Sequence, residues 1–558
     1  MLKEDLRKYL VKELKEMAQK GIISDFEEND FQLERPREEK HGDFSTNFAL
    51  KQAKDETPFY LATKIKEHLK VGAFISKTDV VHPGFINFHF IKEVYSGELY
   101  SILEKRENYG NLEKGTGKNV SIDYLSANPT GPVHIGNARG IIGYNIANVL
   151  EKSGYKVTKE FWINDIGGQA ERFARTLYYW YQVGEGIEAT FPEGGYPGKY
   201  YEELSNKVVQ PLDKTKLSGL SEEELIEMFR KSGLKLSVEG IKNTMEKIGV
   251  HFDKWVSQEF IQTRFTDETF EYLNTHGYTQ EKDGAVWFIS KDFQDFEDKE
   301  SVLKKSDQKG TYTYFMDDIA YHWARFKKEN IDIFVDVLGS NHHGHLPRMK
   351  AALKAIGVPE NNLKHVLYQY VRLKKGDEIT RMAKREGTYV TADDVLAQIP
   401  ADVLKFFFLL RAPDSHLDFD LELAKDTSDK NPLYYVQYSL ARMHGIKRQA
   451  SASDGQAKET DYKDANLTLL TEPEEISLIK KLTAFPEIID EVGENFQIQR
   501  LPYYAVDLAN GLHSFYEKHR VLNVEEELSA SRLALLEAVI IVMKEVLRLI
   551  GVDAPEKM

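Results

Sequence analysis

No cysteine occurs among the 558 residues, so neither a disulfide nor a thiolate metal site is available. Long apolar runs are missing too: the strongest, such as Phe406-Phe-Phe-Leu-Leu410, are far too short to cross a bilayer. No apolar leader opens the chain, because Met1-Leu-Lys-Glu-Asp-Leu6 already reads as a charged amphipathic helix. Solenoid-type repeats are absent. Together these absences point to a cytoplasmic protein with no membrane partner. Positive charge is in short supply. Seventy-four Lys and Arg stand against 89 Asp and Glu, a formal net charge of -15, which argues against general coating of nucleic acid. One specific RNA face remains open, since affinity depends on where the cations sit. Between Leu363 and Thr388, seven Lys/Arg meet three Asp/Glu, a basic stretch that reads as a hairpin around Lys375-Gly-Asp377.

What the chain does have is length and a local motif. At 558 residues it exceeds what one core supports, and 41% hydrophobic with 29% charged residues is the balance of a soluble globular protein. Val120-Ser-Ile-Asp-Tyr-Leu125 alternates as a strand. Ile142, Ile146, Val149 and Leu150 follow at helical spacing, and Gly154 closes that helix. Between them runs Ser126-Ala-Asn-Pro-Thr-Gly-Pro-Val-His-Ile-Gly-Asn137. A strand thus delivers the chain into a Gly/Pro turn that opens a helix at His134, a place suited to a phosphate. His134 adds a donor where charge would develop on that phosphate. This is nucleotide chemistry without a protein nucleophile.

Three units are expected. Residues 1–108 form an N-terminal α+β domain whose first helix turns Leu6, Leu10, Leu14 and Met17 inward. Lys114-Gly-Thr-Gly-Lys118 reads as a linker. From 119 to 400, strands alternate with helices, which implies a doubly wound, Rossmann-like parallel sheet with an insertion at about 185–305. Its second half is anchored by Ile331-Asp-Ile-Phe-Val-Asp-Val-Leu338, which runs into Gly339-Ser-Asn-His-His-Gly344. From 401 to 558 the chain is an all-α helical bundle, its last helix carrying Leu533, Leu536, Ile540 and Val546 and stopping at Gly551.

Further chemistry-bearing residues fall outside the His134 turn. In Arg381-Met-Ala-Lys-Arg385, Lys384 and Arg385 could neutralise charge on β- and γ-phosphates. In Gly310-Thr-Tyr-Thr-Tyr-Phe-Met-Asp-Asp-Ile-Ala-Tyr-His322, Tyr314 and Asp318 share a helix face, and Asp123 ends a strand. A guanidinium, unlike an ammonium, calls for a carboxylate that takes its planar fork. Asn164, Asp165 and Gln169 follow the strand Phe161-Trp-Ile163 as loop polars. His342, His343 and His345 lie along a glycine-containing loop with no cysteine or nearby acid to complete a site, so no metal centre is expected.

The His134 segment resembles the HIGH signature of class I aminoacyl-tRNA synthetases, and Ser126-Ala-Asn-Pro-Thr-Gly131 is similar to its form in the arginyl-tRNA synthetase family. Arg381–Arg385 resembles the mobile KMSKS loop of that class. Leu33–Asn47 with Pro83-Gly-Phe-Ile-Asn-Phe88 resembles the family's extra N-terminal domain, and the terminal bundle its anticodon-binding domain. The resemblance covers the chain in the expected order. It implies ATP-dependent activation of L-arginine and transfer to the terminal adenosine of tRNA(Arg), with Mg²⁺ accompanying ATP and a monomeric enzyme. It assigns catalysis to His134, Arg381, Lys384 and Arg385. It assigns ATP to Pro132, His134, Gly136, Asn137, Gly339, Asn341, Met382 and Lys384. Arginine falls to Asp123, Ser126, Asn128, Tyr314 and Asp318, and tRNA to Phe85, Asn87, Tyr435 and Tyr438. Departures from the pattern are Asn137 for histidine, Arg381 and Ala383 for lysine and serine, and Asn341 for aspartate. An alternative carried with these departures is a tRNA-binding paralogue without aminoacylation activity.

Overall fold

The computed structural model describes residues 2–558 apart from 37, 55, 71, 73, 126, 213–216, 218, 290–300, 308–309, 376–377, 381–389 and 454–461. The alternating segments beside the His134 turn form a five-stranded parallel sheet. Its spatial order is Leu363–Tyr368, Ile333–Gly339, Asn119–Asp123, Lys156–Ile163 and Lys254–Ser257. The chain starts at the central strand, winds to one side and returns to the other, as in doubly wound folds. Parallel strands covered on both faces must be apolar on both, and Val120, Ile122, Phe334, Val335 and Val337 are accordingly buried. The winding reverses between Asn119–Asp123 and Ile333–Gly339, where Asp123 and Asp336 stand in register at the carboxyl ends. A crevice opens at that point.

The stretch 185–305 is less separate from the sheet than its composition suggests, because Lys254–Ser257 supplies the edge strand. Four residues of mixed polarity carry no usable period. The strand is held by pairing and by Trp255, whose ring lies 4.5 Å from Phe161 and beneath Lys242. The rest of the stretch packs outside. The helix Glu222–Ile248, opened by a Ser221–Glu224 capping box, lies close against Gly168–Gly184. A Cβ at Gly233 would sit 2.3 Å from a Leu177 methyl, so any larger residue there would have to displace that side chain.

The N-terminal unit pairs a four-stranded antiparallel sheet (Leu33–Glu34, Phe44–Thr46, Phe85–Phe90, Ile75–Val81) with helix Leu2–Gln19. That helix buries Leu6, Leu10, Leu14 and Met17, the face read from its spacing. The stretch 401–558 is not all-α: Leu417–Asp420 is a strand that pairs in parallel with Val371–Lys375. From Pro432 the C-terminal unit is helical, including Pro432–Ser453, Pro473–Thr483, Phe485–Asn495, Arg500–Lys518 and Glu526–Leu549. Its last helix meets the helix that follows His134. The amides of Asn145 and Asn148 both donate to the Leu549 carbonyl, and Lys152 pairs with Glu545 at 2.8 Å in a buried seam. Among the described residues no helix is long and apolar enough to cross a membrane.

Candidate active site

The central strand ends at Asp123, and the buried Leu125 then turns the chain with φ at +84°. Such a backbone is strained for a leucine and is held by the fold around it. Gly140 and Gly143 allow the next helical segment to seat there: a Cβ at either would fall 2.6 Å from Leu125 Cα or 2.4 Å from Tyr124 Cβ. His134 caps the short helix Ile135–Ala138, and its Nδ1 accepts the Gly136 N–H at 2.8 Å. A neutral ring in that role carries its proton on Nε2. Pro132 and Asn137 are half-buried beside it, and Gly136 is buried.

Two anchors fix this turn. Ile135 N–H donates to Val390 and Ala392 N–H to Val133, so the residues that follow 381–389 are bridged to the His134 turn. On the other side Arg139 is fully buried and donates to the carbonyls of Gln369, Arg411, Ala412, Pro413 and Ser415. Burial lowers its pKa to about 10, which leaves it cationic at neutral pH.

Beside the turn lies a cavity of about 580 Å³. Asp123, Asp318 and Asp336 all reach it, with Tyr314, Asn128 and Asn341 on its wall. The described part of the lining does not include His134, Pro132, Gly136, Asn137 or Gly339. Burial raises the Asp123 pKa, and the negative charges of Asp336 and Glu160 raise it further. Its Oδ1 meets no hydrogen-bond donor among the described residues. Burial would push Asp336 up as well, but His322 and His365, each 3.4 Å from its Oδ2, outweigh that and hold it well below the usual range. Asp318 Oδ2 lies 3.0 Å from His345 Nε2. Tyr314, at the start of the same helix, Tyr314–Trp323, is open to the cavity. A buried set of carboxylates with an unsatisfied oxygen attracts a cation with several donors, and a guanidinium has five.

Neighbouring Asp317 is turned away from this role. Gln258, Gln262 and Thr266 donate to it, yet burial still raises its pKa to about 6. Asn164 and Gln169 line the cavity. Asn164 bridges Trp162 and Asn128 at 2.7 Å each, whereas Asp165 serves the backbone at Glu259 and the Ser257 hydroxyl. Asn341 Oδ1 accepts from the Tyr370 hydroxyl at 2.5 Å, and Gly339 is wedged beside both. Ser126, Arg381, Met382, Lys384 and Arg385 lie outside the described residues. Asp336, His322, His365 and the pairing of His345 with Asp318 were not anticipated. Of these only Asp336 has a local sequence signal, the acidic, apolar alternation of Ile331–Leu338.

The four residues that the resemblance assigns to tRNA lie in two different units. Phe85 is half-buried and Asn87 buried in the N-terminal sheet. Tyr435 and Tyr438 line a hollow of about 160 Å³ with Arg442, His513 and Tyr516. Tyr438 is 56% exposed, and the Arg442 guanidinium stacks 4.4 Å from the Tyr516 ring centre.

A doubly wound sheet with a His-x-Gly turn after its central strand is the arrangement of the class I aminoacyl-tRNA synthetases, and residues 98–182 and 201–402 match the family described as tRNA synthetases class I (R), catalytic domain. Residues 4–90 match the arginyl tRNA synthetase N terminal domain and residues 436–558 the DALR anticodon binding domain. The chain belongs to the arginyl-tRNA synthetase family. It is 39% identical to the arginine–tRNA ligase of Caldanaerobacter subterraneus subsp. tengcongensis and 37% identical to that of Bacillus subtilis, in each case over 100% of this chain and 99% of the relative. In fold it resembles the arginyl-tRNA synthetase of Thermus thermophilus, with a TM-score of 0.79 at 20% identity over the whole of both chains.

Proposed function

We propose that this chain is an arginine–tRNA ligase that activates L-arginine with ATP and transfers it to tRNA(Arg). The observation that carries the reading is the acidic cavity at the switch point, set beside the His134 turn. The guanidinium enters between Asp123 and Asp318, while Asn128 and Ser126 take the α-amino group. The α-carboxylate then attacks the α-phosphorus of ATP, forming the arginyl-adenylate bond as the bond to pyrophosphate breaks. Nε2–H of His134 faces the developing phosphate charge, and Gly136, Asn137, Pro132, Gly339 and Asn341 hold the nucleotide. Lys384, with Arg381, Met382 and Arg385, follows the leaving pyrophosphate; the bridge from Val390 and Ala392 to the turn supports that assignment. In the second step the terminal adenosine attacks the acyl carbon through its 2′-hydroxyl, and AMP departs.

Mg²⁺ comes with ATP as a ligand of its phosphates, where it offsets their charge. Units 1–108 and 401–558 grip the tRNA around the catalytic unit 119–400. Phe85 and Asn87 serve the first contact, and the Tyr435–Tyr438 hollow takes an unpaired base. The enzyme works as a cytoplasmic monomer. The test is charging with labelled arginine in total tRNA, ATP and Mg²⁺, beside Lys384→Ala. Arginine-specific charging that falls at least about tenfold in the variant is expected. Tight tRNA binding with no charging by any amino acid would overturn the reading in favour of a binding paralogue.

A further inference from the structure

His345 entered as one of three histidines on a loop, and its surroundings give it a specific role. It stands immediately before helix Leu346–Ala355, so Arg348, three residues on, lies one turn above it. The Arg348 Nε–H donates to His345 Nδ1 at 2.9 Å. The Arg348 guanidinium lies over the Phe315 ring, 5.1 Å from its centre, and that ring meets His345 edge-on at 5.7 Å. An Nδ1 that accepts from arginine is unprotonated, so the ring carries its proton on Nε2. That atom lies 3.0 Å from Asp318 Oδ2. Both side chains are nearly enclosed, at 13% and 12% exposure, so water does not readily replace either.

We infer that His345, keyed by Arg348, is a positioning residue that fixes the Asp318 carboxylate for a guanidinium. This rests on the reading of the cavity as the guanidinium site. A carboxylate on a helix can rotate about its terminal torsion, and a rotating acceptor meets an ammonium as well as a fork. His345 on Oδ2 and the Tyr314 hydroxyl on the same carboxylate approach from two fixed directions, which sets the carboxylate plane and leaves its remaining lone pairs for the ligand. His322 acts on the same helix from below, where its Nδ1 contacts the Asp318 carbonyl at 2.8 Å and holds the backbone rather than the carboxylate. Selection of arginine therefore depends on a histidine in the cavity wall that acts through the Asp318 carboxylate. Arg348 holds the His345 ring and the ring holds the carboxylate, which is the support that recognition by a fixed fork requires.

The test measures L-arginine binding by calorimetry, and KM for arginine and ATP with kcat in charging, for the full-length protein and four variants. His345→Phe keeps the ring volume and removes the donor; it is expected to weaken arginine binding and raise its KM by about tenfold or more, with KM for ATP within about twofold. His345→Gln returns an N–H to the same region and is expected to recover arginine affinity to within about threefold of the parent. Arg348→Met releases the Nδ1 contact and is expected to cost about threefold in arginine affinity. Asp318→Asn, measured in parallel, should lose about thirtyfold or more. If His345→Phe binds arginine like the parent while Asp318→Asn does not, the role of His345 is overturned and the guanidinium site stands. If Asp318→Asn also binds like the parent, the site reading itself fails. Equal losses for Phe and Gln would show a packing role and overturn the inference. Should His345→Phe not fold, Arg348→Met decides, because unchanged arginine affinity there removes the key.

Discussion

The acidic cavity and the aromatic hollow are the two concave places where this chain meets its substrates on the reading above, and they are made of opposite materials. The cavity of about 580 Å³ sits at the ends of two parallel strands and gathers Asp123, Asp318 and Asp336. The three carboxylates are partnered differently: Asp123 Oδ1 has no donor among the described residues, Asp318 has His345, and Asp336 has two histidines. The hollow of about 160 Å³ lies between helices Pro432–Ser453 and Arg500–Lys518 and offers tyrosine faces with one guanidinium. A rigid strand end can hold charges where repulsion would otherwise part them, and so can select one cation by geometry. Aromatic planes on helices stack any base, and leave selection to the few polar groups at their rim. The difference teaches how much scaffolding each needs. Charge recognition depends on a stiff surround, and stacking does not.

The stiff surround can be broken at Arg139. Its loss leaves carbonyls from Gln369 and the 411–415 loop without a donor in a dry interior. Arg139→Met should lower stability by about 3–5 kcal/mol, read as a lower urea midpoint of the first transition, and should abolish charging. A variant as stable as the parent would show that the loop finds other partners.

A smaller effect separates the two adjacent aspartates of helix Tyr314–Trp323. Asp317 has its folded pKa raised from 3.8 to about 6, so the folded chain holds a proton that the unfolded chain releases earlier. Its contribution is present in full below the unfolded value and is lost as pH rises through about 6. At 1.36 kcal/mol per pKa unit, the parent should lose on the order of 3 kcal/mol relative to Asp317→Asn between pH 4 and pH 7. Parallel stability profiles of the two proteins across that range would refute the raised pKa.

What could be read beforehand follows from how local each feature is. The His134 turn was legible because strand, Gly/Pro turn and helix lie within about 35 consecutive residues, and the observed strand Asn119–Asp123 and helix Ile142–Lys152 follow that order. The doubly wound sheet was legible from the alternation of strands and helices, apart from Lys254–Ser257, whose strand character comes from pairing with Lys156–Ile163. In the cavity, Asp123, Tyr314 and Asp318 came from resemblance. Asp336 joins them through the register of two strands more than 200 residues apart in sequence, which no window of sequence displays. His345 was visible as a histidine, but its partner Asp318 lies 27 positions earlier on another element. Sequence shows donors and acceptors; only the fold shows which of them are already used.

Asp123 tests whether the cavity is tuned for a ligand rather than for stability. Its carboxylate is buried, faces like charges and has one oxygen without a donor among the described residues, all of which oppose folding at neutral pH. Asp123→Asn removes the charge at nearly constant volume. Arginine affinity should fall about thirtyfold, roughly 2 kcal/mol, while thermal stability stays level or rises. Loss of both together would make Asp123 a structural residue.

Tyr438 should give the mildest effect, and it brings the comparison back to the hollow. More than half of its surface is exposed, and no described hydrogen bond employs its hydroxyl, so truncation leaves little unsatisfied behind. Its neighbour Tyr435 differs: that hydroxyl donates to Asn510 Oδ1 at 2.9 Å, which ties helix Pro432–Ser453 to Arg500–Lys518. Tyr438→Ala removes one stacking face and should raise KM for tRNA about tenfold, near 1.4 kcal/mol, with arginine binding and melting temperature unchanged. Tyr438→Phe should keep nearly all the affinity, because stacking needs the ring and not the hydroxyl. If the Phe variant binds tRNA as weakly as the Ala variant, the hydroxyl is the reader, and the hollow recognises its base by hydrogen bonding as selectively as the acidic cavity recognises a guanidinium.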